Sequence, residues 1–290
     1  MNAEHPTLAD VVSVLEDLYP PSTAEGWDAV GLVAGDPSRP VRRVLFAVDP
    51  VADVVAEAVE WEADLVVTHH PLFLRGVHSV AATTFKGAVV HRLLAAGCGL
   101  YVAHTNADAA PRGVADALAD LVGLSDRRPL VAHVDDTERG LGRVGTLDHP
   151  TTLGEFAERV AQVLPTTVQG VRVAGDLEAP VTTAAVVGGS GDSLFDAVRA
   201  TAADVYVTAD LRHHPASELR ERAVFEATDP ERREAGTPFL VDVAHFASEW
   251  PWLAYAATDL SAGLGDGTVT TKVSTLVTDP WTHRVGGVGR

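Results

Sequence analysis

Apolar residues along this chain follow two alternating rhythms. Short continuous apolar runs at 44–48, 65–68 and 100–103 have the length and β-branched content of buried strands. Between them, 52–62 and 84–96 repeat their apolar positions at intervals of three and four, as a helix with one buried face does. Residues 7–18 share that spacing, with Thr7 and Asp10 set as a capping box and Pro20-Pro21 as a stop. Gly97 closes the 84–96 helix, and 114–121 is a further helix. Strands alternating with helices of this length predict βαβ units around a parallel sheet.

The pattern changes near residue 126. Asp126, Arg127, Arg128, Asp135, Asp136, Glu138 and Arg139 form a polar stretch that predicts only short strands. Beyond it the spacing predicts strands at 142–147, 168–174, 239–243 and 268–276, helices at 153–164 and 252–264, and a second βαβ unit over 184–208. The charged segment 229–234 precedes the strand at 239–243. Residues 44–70 also align without gaps on 184–210, an offset of 140. Ala63, Asp64, Val67 and Thr68 recur as Ala203, Asp204, Val207 and Thr208. The shared pattern predicts a duplicated βαβ unit. The expected fold is therefore α/β, with two similar lobes of mixed or mostly parallel sheets flanked by helices. The first lobe comprises 1–127 with 237–290, and the second, 128–236, is inserted in it.

At 290 residues the chain is long enough for two such lobes, and its 46% hydrophobic and 21% charged residues are ordinary for a globular protein. The net charge of −18 argues against a nucleic-acid partner, which needs a basic face. No apolar stretch approaches the ~18 residues that span a bilayer, and the first residues lack the basic and apolar regions of a signal peptide. A cytoplasmic protein without a membrane partner is expected. Cys98 is the single cysteine, so intrachain disulfides and multi-thiolate metal sites are excluded. Histidine is the informative residue, with 12 in the chain.

Three apolar strands run directly into metal-ligand residues. Strand 65–68 leads to His69-His70, strand 100–103 to His104 and Asp108, and strand 239–243 to His245 and Glu249. In an open parallel sheet, ligands gather outside the carboxyl ends of the strands. Imidazole and carboxylate together suit two divalent ions, with zinc, iron, manganese and nickel undistinguished. Such a pair can activate a hydroxide nucleophile. His104 either ligates or hydrogen-bonds from behind the ligands, and Asp28 and Asp49 are read as supports or turn formers. Gly189, Ser190 and Gly191 lie in a glycine-rich strand–helix turn without a Walker lysine. They are read either as a tight turn or as contacts to a substrate phosphate. His213 and His214 are substrate or proton-transfer candidates against a plain solvated pair. The function expected is a metal-dependent hydrolase acting on a small molecule, with a non-catalytic metal-handling or scaffold protein as the alternative.

GWDAVGL (26–32), VVTHHPLF (66–73), AHTNAD (103–108) and VDVAHFASE (241–249) resemble, in order, the signatures of the Ngg-interacting-factor-three-like family. Its members are also called GTP cyclohydrolase 1 type 2 homologs, or dinuclear-metal-centre hexameric proteins. The resemblance covers nearly the whole chain. It implies two similar α/β lobes, a homohexamer built as a trimer of dimers, and a nucleotide as a candidate substrate. It also implies a dinuclear centre ligated by His69, His70, Asp108, His245 and a bridging Glu249, with His104 near the metals. Where the family has Asn after the first-motif Asp, this chain has Ala29. The chain is too short for the extra domain that some members insert between the lobes.

Overall fold

A computed structural model describes residues 5–134, 136–227 and 236–286. In chain order the elements are α1 (Leu8–Leu18), β1 (Gly31–Ala34), β2 (Arg43–Ala47), α2 (Ala52–Glu60), β3 (Leu65–Thr68), α3 (Phe85–Ala95), β4 (Gly99–Val102), α4 (Thr105–Ala109), α5 (Val114–Val122), β5 (Leu124–His133) and β6 (Asp136–Thr152). They continue with α6 (Leu153–Val163), β7 (Arg172–Ala174), β8 (Pro180–Ser190), α7 (Phe195–Thr201), β9 (Val205–Ala209), α8 (His213–Glu226), β10 (Phe239–Val243), α9 (His245–Glu249), α10 (Trp252–Leu264) and β11 (Thr270–Val273). The capping box forms as its residues predict: Thr7 Oγ1 accepts from Asp10 N, and Asp10 Oδ2 accepts from Thr7 N at 2.8 Å. Among the described residues no helix is long and apolar enough to cross a membrane.

Two mixed sheets organise the chain. One has the order β1-β4-β3-β2-β11 and the other β5-β6-β8-β9-β10-β7. The chain divides into one unit of residues 1–113 with 253–278, and a second of 114–252 with the residues from 279. These limits depart from the expected ones at 127/128 and 236/237. The strand before His245 was expected in the first lobe, yet β10 lies parallel to β9 in the second sheet, Phe239 facing Val205.

The duplication explains that placement. Val44 faces Leu65 as Ala184 faces Val205, and Leu65 faces Gly99 as Val205 faces Phe239, every position displaced by 140. Asp64 Oδ2 accepts from the backbone N–H of Arg42 and Arg43, and Asp204 Oδ2 from those of Thr182 and Thr183. The edge strands match too, Ala34 facing Leu100 and Ala174 facing Leu240, both pairs antiparallel. Gly35 and Gly175 follow those edges at φ +131° and +150°. A Cβ there would meet Leu8 and Gly99 in one unit, and Leu153 and Phe239 in the other. The repeat visible over 27 residues thus extends through α4 and α9, also 140 apart. A strand in β10's position has to pair with the repeat's own second strand.

Elsewhere the polar stretch after residue 126 forms long strands. β5 and β6 pair antiparallel, and most side chains near their turn stay in water, so the backbone ladder needs no apolar run. Of the expected strand 168–174 only Arg172–Ala174 pairs. The charged segment 229–234 lies outside the described residues.

Cys98 is buried among Leu45, Val66, Leu93 and Leu100 beside the first sheet. Burial pushes its thiol up to about 12. Native protein will therefore leave a thiol-exchange reagent unconsumed at neutral pH, and the same reagent will titrate one thiol per chain after unfolding.

Candidate metal centre

The first unit brings three imidazoles together. His69 and His70 prolong β3's ladder, their N–H groups donating to Ala47 O and Val48 O. His104 follows β4, where Ala103 N donates to Thr68 O. Ring centroids stand 5.1 Å apart for His69–His70 and His69–His104, and 5.6 Å for His70–His104. One ring nitrogen from each lies within 4.8 Å of the other two. Asp108 sits one turn into α4, its Oδ1 3.8 Å from His69 Nε2.

Each ring is oriented from behind. His69 Nδ1 is 3.0 Å from Ala103 O, His70 Nδ1 2.7 Å from Asp49 Oδ1, and His104 Nδ1 2.9 Å from Asp28 Oδ1. A carbonyl can only accept, so His69 Nδ1 carries its proton, and the carboxylates favour the same tautomer in the other two. Nε2 is then the nitrogen that could ligate an ion in all three, as in metal-ligating histidines whose other ring nitrogen is held by an acceptor. Asp28 also accepts from Thr105 N at 3.0 Å and from Ala29 N at 2.7 Å, so Ala29 contributes through its backbone. Burial would push Asp28 up, but the bonds from His104 and Thr105 outweigh it and hold the carboxyl below its usual range. His104 is pushed below its ordinary value by burial and by His69, against the pull of Asp28. Trp27, 59% exposed, sets its ring edge-on to His104 at 6.0 Å.

That depression fixes a pH dependence. The folded state binds the His104 proton less tightly than the unfolded chain. Its stabilisation is thus complete above the ordinary value of 6.5 and is lost as pH falls below it toward the lower folded value. Melting of metal-stripped protein between about pH 7 and about pH 5 will show a steeper loss of stability in the parent than in His104→Gln.

The second unit supplies a carboxylate–imidazole pair. His245 opens α9, its Nδ1 2.7 Å from Asp210 Oδ2 and its Nε2 2.9 Å from Glu249 Oε1. Glu249 is 2% exposed. It ends the short α9, three residues before α10 begins. Asp210 occupies the repeat position of His70, so one repeat carries a ligand-type residue where the other carries an orienting acid. Sequence reasoning missed Asp210; the 140-residue offset was the signal that could have found it.

The glycine-rich turn does other work than cradling an anion. Gly189 N–H donates to Ser248 Oγ at 2.8 Å, and Gly191 N–H donates to Ala209 O, so neither group is turned toward a ligand. Gly189 has φ +69°, and a Cβ there would lie 2.6 Å from Glu249 Oε1 and 3.2 Å from His245 Nε2. Its bare backbone makes room for that pair. Ser190 ends β8 and is exposed. His213 and His214 begin α8, ring centroids 5.1 Å apart, and neither joins a metal-capable group among the described residues.

The residues fit a divalent transition ion. The donors are imidazole and carboxylate, three of them imidazoles within ligating distance of each other, with orienting acceptors already in place. Fold and donor set together define a duplicated α/β protein with a candidate transition-metal centre. The chain belongs to the Duf34/NIF3 (NGG1p interacting factor 3) family, whose model matches residues 6–280. A Streptomyces coelicolor protein called GTP cyclohydrolase 1 type 2 homolog is 53% identical over 285 residues, covering 97% of this chain and 95% of that one. A Mycobacterium tuberculosis protein of the same name is 34% identical over 387 residues, covering 96% and 98%. Among solved structures, a Staphylococcus aureus hypothetical protein matches with a TM-score of 0.84 at 27% identity, covering 96% of this chain and all of that one.

Proposed function

We propose that the protein is a dinuclear metal-dependent hydrolase acting on a nucleotide or phosphoester. In this reading His69, His70, Asp108, His245 and Glu249 would hold two ions, with Glu249 shared by both. The observation that carries it is the uniform support of the four imidazoles. Asp28, Asp49, Asp210 and Ala103 O each hold an Nδ1, so that Nε2 is the nitrogen of each ring not engaged by its supporting acceptor. Two divalent ions held by such a donor set would supply Lewis acidity.

His104 has the proton-transfer role. Its lowered pKa keeps the imidazole neutral at pH 7, so Nε2 can take a proton while Nδ1–H stays bonded to Asp28. Trp27 beside it offers a flat apolar face to a planar substrate. The relatives' printed names point to a guanine nucleotide, whose ring opening needs hydration of a purine carbon and therefore a base of this kind. A homohexamer in the cytoplasm completes the reading, and light scattering on purified protein checks the assembly.

The deciding experiment is an activity screen of metal-reconstituted protein against GTP, other nucleotides and phosphoesters, with His104→Ala as control. Turnover in the parent that falls about 100-fold or more in the control supports the hydrolase. No turnover above the control overturns it in favour of a metal-handling or scaffold protein.

A further inference from the structure

A cavity lies wholly within the second unit, between the edge strand β7, strand β10 and the start of α8. Its volume is about 350 Å³. Val173, Ala174, Leu211 and Leu240 give it apolar walls, and Arg172, His213, Ser217 and Arg220 bring polar groups to it. That mixture, at that size, is the make-up of a small-molecule site.

The duplicate unit shows what this space is elsewhere. Val33, Ala34 and Leu100 stand 140 positions before Val173, Ala174 and Leu240. Around them Leu72 and Phe73 complete the packing. Those two side chains come from the segment 71–84, which separates His70 from α3. In the second unit the chain enters α8 at His213, directly after Leu211-Arg212, so no counterpart of that segment stands between Asp210 and α8. The repeat also replaces Val102 with Asp242 on the cavity's wall. An apolar plug has been lost and a charged pair gained at the same place.

The polar groups are biased toward donation. Asp242, 5% exposed, is already occupied: Oδ2 accepts from Arg172 and from Gln169 Nε2, and Oδ1 from Leu211 N–H. Its charge is therefore matched by Arg172 and does not repel a second anion. Arg172 commits Nε and one terminal nitrogen to that bond. Its other terminal nitrogen, the His213 ring nitrogens and Ser217 Oγ make no hydrogen bond among the described residues. Arg220 is held in place by Gly236 O and Pro238 O, its guanidinium 5.2 Å from the Phe239 ring centre. In a chain with a net charge of −18, this is a local concentration of donors facing an apolar hollow.

We propose that this pocket binds a small organic anion, a carboxylate or phosphate monoester on a short branched apolar body. Arg172, His213 and Ser217 receive the charged head, and the Leu211 and Leu240 side chains receive the body. The site needs no metal and no residue of the metal-ligand sets, so its failure leaves the hydrolase reading untouched.

The test is a methyl-resolved NMR titration of the full-length protein, following Val173, Leu211 and Leu240. The probes are 4-methylpentanoate and 3-methylbutyl phosphate, each beside its neutral match, 4-methylpentanamide and 3-methylbutanol. The acids are expected to shift these methyls saturably, with the neutral compounds weaker by about tenfold, the effect of losing one charge-assisted hydrogen bond. The tighter of the two acids identifies the head group. Ser217→Phe, at an exposed helix position, puts an aromatic ring into the hollow. It will abolish the shifts while leaving methyls elsewhere unmoved. His213→Ala will weaken both acids. Absence of saturable shifts, equal affinity for acids and neutral compounds, or unchanged binding in Ser217→Phe overturns the proposal.

Discussion

Glu249→Ala protein is expected to leave purification with most of its transition metal missing, whereas the parent carries about two ions per chain. The carboxylate is almost wholly buried and lies against His245 Nε2, so its removal takes away one ligand and the charge balance of another. Loss of a supporting acid has a smaller effect. Asp49→Asn, which keeps the hydrogen bond to His70 but not the charge, should weaken metal binding by about 10–100-fold and leave the stoichiometry intact at high metal. Elemental analysis of both variants after dialysis against a weak chelator separates the two. Full occupancy in Glu249→Ala removes Glu249 from the metal and with it the bridging assignment.

Gly189→Ala is expected to reproduce that metal loss without touching a donor atom. The residue's left-handed backbone costs an alanine about 1–2 kcal/mol, and its new methyl would press on Glu249 Oε1 at 2.6 Å. Glu249's carboxylate is the far end of a flexible side chain, so it can yield, and in yielding it leaves the position from which it meets His245. The protein will stay folded, lose a few degrees in Tm and bind little metal. Gly191→Ala will behave differently. There a Cβ meets Thr208 Oγ1 at 2.1 Å and Tyr206 Oη at 2.2 Å, both buried and both hydrogen-bonded to this same turn. Neither can move aside, and the loss should reach several kcal/mol, read by denaturant unfolding. A Gly189→Ala protein with parental metal content would show that the glycine does not shape the ligand pair.

The glycine turn marks where residue-level reading and structure part. Glycines between a strand and a helix suit an anion cradle as well as they suit a crowded turn, because both need a backbone without Cβ. Only the position of Ser248 and Ala209, dozens of residues away or on another strand, consumes the N–H groups and decides for crowding. His213 and His214 resembled the His69-His70 pair in type, yet they begin a helix, while the repeat position of His70 falls to Asp210.

Local pattern alone determined much. The β3, β10 and α10 limits follow from apolar runs and their stops, because burial of one face or one run is a short-range property. The ligand candidates His69, His70, His104 and Asp108 were legible for the same reason: each sits within a few residues of a buried strand's carboxyl end. Which sheet took β10, and hence which unit carries His245 and Glu249, was decided by strand pairing between residues far apart in the chain. The cavity beside α8 was decided there too. It arises from a segment present in one repeat and missing from the other, and a missing filler becomes visible only when the walls around it are assembled.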